Sequence, residues 1–186
     1  MSRDSRRHLA RALLRWLEHF LATVGAVFLI YLFAFDLSVV SSGSMSPTLQ
    51  GTSRGNGDWI LTEKVSFRFR EPRRWEVATF RANDGLQVMK RVVGLPDETV
   101  ALRDNRILIN GDAVLRPTEV ASLTYYAYGN LQGGKEARCG TGYYVLGDDS
   151  RDSQDSRFDG PIDRRQIIGR AWLVVWPLSR IRFVNP

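Results

Sequence analysis

The sequence predicts a mostly β, antiparallel domain carried behind one N-terminal transmembrane helix. Two observations lead there: a single uncharged apolar run near the start, and beyond it a succession of short alternating segments separated by turn residues. Phe20 to Phe35, FLATVGAVFLIYLFAF, holds no charge in sixteen residues. That is short of the ~20 residues that cross a hydrocarbon core comfortably. Extension from Leu17 through Val40 admits Glu18, His19, Asp36 and Ser38 only near the ends, where polar groups reach the interface, with Trp16 and Tyr31 as interfacial aromatics. Residues 34–40 offer a poor small-x-small site for removal, which favours a retained anchor over a cleaved leader. A soluble helix of this kind would need apolar cover on every side.

Arginines precede the run, so its start is expected on the cytoplasmic side. The layout that follows is a basic cytoplasmic segment at 1–16, an anchor at 17–40 in the plasma (inner) membrane, and an extracytoplasmic domain at 41–186. The net charge of +6 fits this division better than a nucleic-acid partner. Up to His19 five arginines outweigh Asp4 and Glu18, a balance of +3, and the rest of the chain scatters 21 basic among 18 acidic residues. No concentrated footprint for phosphates results. Cys139 is the only cysteine, which excludes an internal disulfide and a cysteine-rich zinc site.

Past Leu49 the strands are expected at 58–62 after the Gly55-Asn56-Gly57 turn, at 76–80, at 86–89, at 99–102 and 106–109 around an Asp104-Asn105 hairpin turn, at 143–146, and at 168–176. Residues 163–167 suggest a short helical piece. Residues 112–142 differ: Tyr125, Tyr126, Tyr128, a Gly133-Gly134 pair and Cys139 fall in weakly periodic sequence, expected as an insertion or small cap.

The serine-rich turn Ser42-Gly43-Ser44-Met45-Ser46-Pro47-Thr48-Leu49 follows the anchor directly. A serine hydroxyl needs a base to become a nucleophile. His8 and His19 precede or abut the apolar run and no histidine follows, so the base would be a carboxylate, a second hydroxyl or a neutral lysine. Of the three lysines, Lys135 lies in a polar, glycine-rich loop and Lys64 beside charged residues. Lys90 lies in the apolar stretch Val88-Met89-Lys90-Arg91-Val92-Val93-Gly94-Leu95-Pro96. Burial there disfavours the ammonium and prepares the amine to act as a base near neutral pH. Taken singly, the serines read as turn residues and Lys90 as a lysine snorkelling from a half-buried strand.

The combination reads differently. With Gly147-Asp148-Asp149-Ser150-Arg151-Asp152-Ser153-Gln154-Asp155-Ser156-Arg157 as a third ordered block, the chain resembles the type I signal peptidases from the anchor to about Trp172, with residues 112–142 unmatched. The resemblance implies Ser44 as nucleophile and Lys90 as general base, a serine–lysine variant of triad chemistry. It implies an oxyanion hole from the Ser44 N–H and the Ser42 hydroxyl, Ser153 as a hydroxyl orienting the lysine amine, and Asp155–Arg157 as a bracing ion pair. Met45 and Pro47 would fix the turn. The implied fold is one of coiled antiparallel β-sheets, shared with self-cleaving repressors. The implied activity is removal of N-terminal signal peptides at small-x-small sites in exported preproteins, with the bilayer and the secretory translocation machinery as partners and no cofactor or metal.

Three positions depart from the family pattern. Asp97 stands where glycine is common after Gly94-Leu95-Pro96, and Asp149 and Ser150 replace a common asparagine and arginine. Three rival readings share parts of this sequence. A conjugation-type maturation peptidase has the same dyad and one dedicated substrate. A self-cleaving repressor would need a DNA-binding module where this chain has an anchor. An inactive anchored binder would have no need of Ser44, Lys90 and Ser153 together.

Overall fold

The computed structural model describes residues 3–52 and 56–184. Met1 and Ser2 of the basic segment, Gly55 of the expected turn and the last two residues lie outside these, as do the side chains of Arg3, Arg6 and Arg7. The chain forms two units, residues 1–36 and 37–186.

The first unit is helix α1 (Arg3–Ala34). Its 24-residue segment Arg11–Ala34 is long and apolar enough to cross a membrane. At ~1.5 Å per residue this reaches ~36 Å, against a hydrocarbon core of ~30 Å. Leu14, Phe20 and Phe33 lie on different sides of the helix and each is more than half exposed, so this apolar surface is uncovered among the described residues. The helix stops at Ala34, short of the expected anchor end at Val40, and Phe35–Val39 is strand β1. The sequence explains the switch: Phe35-Asp36-Leu37-Ser38-Val39 alternates apolar and polar with the period of a strand.

The second unit is built from β2 (Trp59–Glu63), β3 (Val77–Arg81), β4 (Gln87–Gly94), β5 (Thr99–Arg103), β6 (Arg106–Ile109), β7 (Asp112–Ala113), β8 (Glu136–Arg138), β9 (Tyr144–Leu146), β10 (Ile167–Trp176) and β11 (Arg182–Phe183). Two one-turn helices, α2 (Ser66–Phe69) and α3 (Ser156–Asp159), interrupt them, and Asp163 caps a 3-10 turn at Arg164–Gln166. One sheet runs β1-β2-β10-β3-β4-β9, with β11 also on β10; the other runs β7-β6-β5-β8. The described pairings are antiparallel, as the alternating segments predict.

Residues 112–142 are not a cap by themselves. They supply β7 and β8, the edges of a second sheet whose middle strands β5 and β6 precede them. Val100, Leu102 and Ile107 from β5 and β6 are covered by Val120, Tyr125 and Leu131 from the insertion. Each side completes the other's core, so this body begins at Thr99. Its hairpin turns through Asp104 and Asn105 at φ 49° and 60°, the left-handed pair that a two-residue turn between twisted strands requires.

Asp97 adopts φ 66° in a turn closed by Glu98 N–H on Leu95 O at 3.2 Å, with Pro96 ahead of it. This is the position where a type II turn favours glycine. Aspartate tolerates it at a cost of about 1 kcal/mol.

Candidate active site

The serine-rich turn is held from below by its own apolar residues. Met45 and Leu49, four apart and joined by Leu49 N–H on Met45 O at 2.8 Å, enter a core with Val40, Ile60, Val77 and Val174. That insertion leaves Ser44 on the lining of a cleft, only 8% exposed. Two further contacts fix the loop. The chain returns under Ser42 at Gly51, where any Cβ would lie 1.9 Å from Ser42 O. The buried Asp58 carboxylate accepts from Gln50 N–H at 2.9 Å and from Arg180 at 2.7 Å.

Lys90 comes from the middle of β4, with β3 on one side (Ala78 opposite Lys90) and β9 on the other (Leu146 opposite Arg91). Side chains on a strand alternate between faces. Val88 and Lys90 therefore share a face that lines a cleft of about 600 Å³, together with Phe80, Val145 and Ile162. Ser42 and Ser44 line the same cleft. Lys90 Nζ donates to Ser44 Oγ at 2.6 Å, and Ser42 Oγ is 3.1 Å from Ser44 Oγ. Burial lowers the Lys90 pKa to about 8; Asp155, Asp148 and Asp152 oppose this fall and the Arg157 charge adds to it. No carboxylate forms an ion pair with Lys90 among the described residues.

The third block wraps the far side of this pair. Asp155 and Arg157 form a fully buried two-pronged ion pair, Nε to Oδ1 at 2.8 Å and Nη2 to Oδ2 at 2.7 Å. Asp155 also accepts from Gly147 N–H at 2.9 Å and caps α3 through Arg157 N–H. Arg157 donates onward to Tyr126 O, Ser150 O and Ser150 Oγ. Gly147 sits where the blocks meet: a Cβ there would lie 2.1 Å from Ser153 Oγ and 2.6 Å from Ser44 O. Asp149 N–H donates to Ser44 O at 3.0 Å and joins the two loops.

The Ser153 hydroxyl donates its proton to Asp155 Oδ2 at 2.7 Å, which still leaves its oxygen able to accept a hydrogen bond, the capacity that orienting the Lys90 amine requires. A carboxylate is the stronger acceptor, and the short Ser153-Gln154-Asp155 spacing brings it within reach.

Other residues, to which the motifs assigned no role, join the site. Arg91, on the opposite face of β4 from Lys90, makes a buried two-pronged pair with Asp148 at 2.8 and 2.6 Å. It also reaches Trp75 O at 2.7 Å and Thr48 Oγ1 of the serine turn at 3.2 Å. Tyr125, fully buried, donates to Asp148 Oδ1 at 3.1 Å, and both burial and the Asp148 charge raise its pKa and keep it protonated. Tyr126 N–H donates to Ser150 Oγ, and Asn130 donates to Ser156 O. The signals were the Lys90-Arg91 adjacency, the place of Asp148 and Ser150 in the third block, and the run of tyrosines.

The chain matches the family described as signal peptidase, peptidase S26, over residues 13–176. It belongs to that family. It is 34% identical to signal peptidase I of Leptolyngbya laminosa over 163 residues, covering 83% of this chain and 75% of that protein. It is 32% identical to a probable signal peptidase I-2 of Synechocystis sp. over 176 residues, covering 89% and 76%. A solved signal peptidase I from Enterococcus faecalis V583 is 29% identical, with a TM-score of 0.43 over 54% of this chain and 97% of that one. The family match takes in the serine turn, the β4 lysine and the Gly147–Arg157 block together.

Proposed function

We propose that Ser44 is the nucleophile and Lys90 the general base of this serine endopeptidase, which removes N-terminal signal peptides from exported preproteins. The family carries the reaction. One observation carries the residue roles: a buried lysine amine, with no carboxylate paired to it among the described residues, 2.6 Å from a serine hydroxyl at the edge of a cleft.

With a pKa of about 8, roughly one Lys90 in ten is neutral at pH 7. The neutral amine takes the Ser44 proton as Oγ attacks the scissile carbonyl. Charge grows on the carbonyl oxygen, where the Ser44 N–H and the Ser42 hydroxyl donate to it. Collapse breaks the C–N bond, and the new ammonium on Lys90 returns its proton to the leaving amine. The mature chain departs and the leader remains as an ester on Ser44. Lys90 then deprotonates a water, which attacks the ester and releases the leader with a free carboxylate. Asp155 and Arg157 keep the third block against the serine turn, and Ser153 acts through Asp155.

The cleft wall of Phe80, Val88, Val145 and Ile162 suits small apolar side chains before the scissile bond, in the small-x-small pattern. A larger side chain is rejected by steric overlap, with ~1–3 kcal/mol at stake per methylene. The helix at Arg11–Ala34 is the anchor, with its arginine-rich start in the cytoplasm, the catalytic domain outside, and delivery of substrates by the secretory translocation machinery.

The test is processing of a preprotein by the full-length enzyme in detergent micelles. Ser44→Ala and Lys90→Ala each reduce turnover to the background while the circular dichroism of the domain is retained. Substantial activity in Lys90→Ala would remove the proposed base.

A further inference from the structure

A second, more polar cleft of about 360 Å³ lies beside the serine turn, lined by Ser46, Pro47, Leu123, Tyr126, Asp149 and Arg151 among others. The peptidase reading above gives it a direction. Ser42 and Ser44 line the larger cleft and Ser46 and Pro47 the smaller one, so the serine turn borders both and a peptide cut at Ser44 can run from one into the other. The two clefts also differ in charge. The larger one has Asp84, Asp152 and Asp159 exposed on its lining, and Lys90 is its only basic residue among those described. The smaller one is lined by an exposed arginine, by the half-buried Asp149 and by Asp148, whose charge is paired with Arg91.

That arginine is held in place. Arg151 stacks over the Tyr126 ring at 5.0 Å and donates to its hydroxyl at 2.8 Å. Its backbone N–H donates to Asp149 Oδ1 at 3.1 Å, which turns that carboxylate back onto the loop. No ion pair forms at Arg151 among the described residues. Its position relative to the scissile bond follows from chain geometry. Asp149 N–H touches Ser44 O, and Arg151 is two residues on, so its Cα lies within ~8 Å of Asp149 Cα. For an extended peptide that leaves Ser44 along this cleft at ~3.3 Å per residue, that reach corresponds to about the second to fourth residue after the scissile bond.

We propose that this cleft binds the first residues of the mature chain, and that Arg151 selects an acidic side chain at about the third of them. Arg151 is a specificity-determining residue here and takes no part in the chemical steps. An exposed guanidinium–carboxylate contact is worth a few-fold in rate, and salt screens it.

Competition in one vessel tests this. Two preproteins, identical except for Glu or Lys at the third residue after the scissile bond, are processed together by the full-length enzyme. The product ratio reports relative kcat/KM whatever fraction of the enzyme is active. The wild type favours Glu about three- to fivefold, Arg151→Gln brings the ratio near one, Arg151→Glu reverses it, and ~1 M salt flattens the wild-type preference. A wild-type ratio near one, or an unchanged ratio in Arg151→Glu, overturns the subsite and leaves the peptidase reading standing. Processing of neither substrate overturns both.

Discussion

Lys90 and Arg91 stand side by side on β4, 2% and 1% exposed, and the fold treats their charges in opposite ways. Arg91 is answered in full: a two-pronged carboxylate, a backbone carbonyl and a threonine hydroxyl meet its guanidinium. Lys90 meets a serine hydroxyl at 2.6 Å and, among the described residues, no carboxylate close enough to pair. Alternation along the strand is the cause, since consecutive side chains enter different environments. A paired buried cation stays charged and braces the structure. An unpaired one is pushed toward its neutral form, which is the form a base requires. Asp155–Arg157 belongs with Arg91–Asp148: both are buried two-pronged ion pairs.

The largest effect expected from this contrast comes from breaking a paired charge. Asp155→Asn leaves Arg157 buried without its partner and frees Ser153 and Gly147 N–H from their common acceptor. A loss of roughly 3–5 kcal/mol in denaturant unfolding is expected. A loss under 1 kcal/mol would place Asp155–Arg157 outside the group of bracing pairs.

Next comes the unpaired charge. Lys90→Met removes activity and yet stabilises the domain, because the folded state no longer buries an ammonium. Lys90 is charged in both states below pH 8 and neutral in both above its ordinary value of 10.5. The variant's advantage is therefore fullest below pH 8, on the order of 3 kcal/mol, and fades as pH rises from 8 to 10.5. Equal stability of variant and wild type at pH 6 would mean that Lys90 is paired after all.

The smallest of the three is Tyr125→Phe, which takes one hydrogen bond from Asp148 and leaves the Arg91 pair intact. About 1–2 kcal/mol of stability is expected to go. A parallel fall in kcat with KM unchanged would show that the second sheet positions the third block.

The parts legible in the sequence were those with local signatures. The Ser42–Leu49 turn, the apolar stretch around Lys90 and the Asp155-Ser156-Arg157 triplet announce themselves within a few residues. The alternation of β3, β4 and β10 predicts the antiparallel sheet. The end of α1 was missed because apolar residues continue through Leu37, Val39 and Val40 while the period changes from helix to strand. The acceptor of the Ser153 proton was not legible, because several acceptors compete for one hydroxyl proton. Tyr125 and Asp148 are 23 residues apart and on different bodies, and Arg91 and Asp148 are 57 apart. Contacts of that range are set by how the two sheets meet, and no local pattern encodes them.

The central claim is that Lys90, lowered by burial, is the base. The pH dependence of kcat/KM on a preprotein tests it most directly. The account predicts a rise of about tenfold per pH unit on the acid side, levelling near pH 8 as Lys90 becomes neutral. A profile flat from pH 6 to 9, or one still rising toward 10.5, would contradict it.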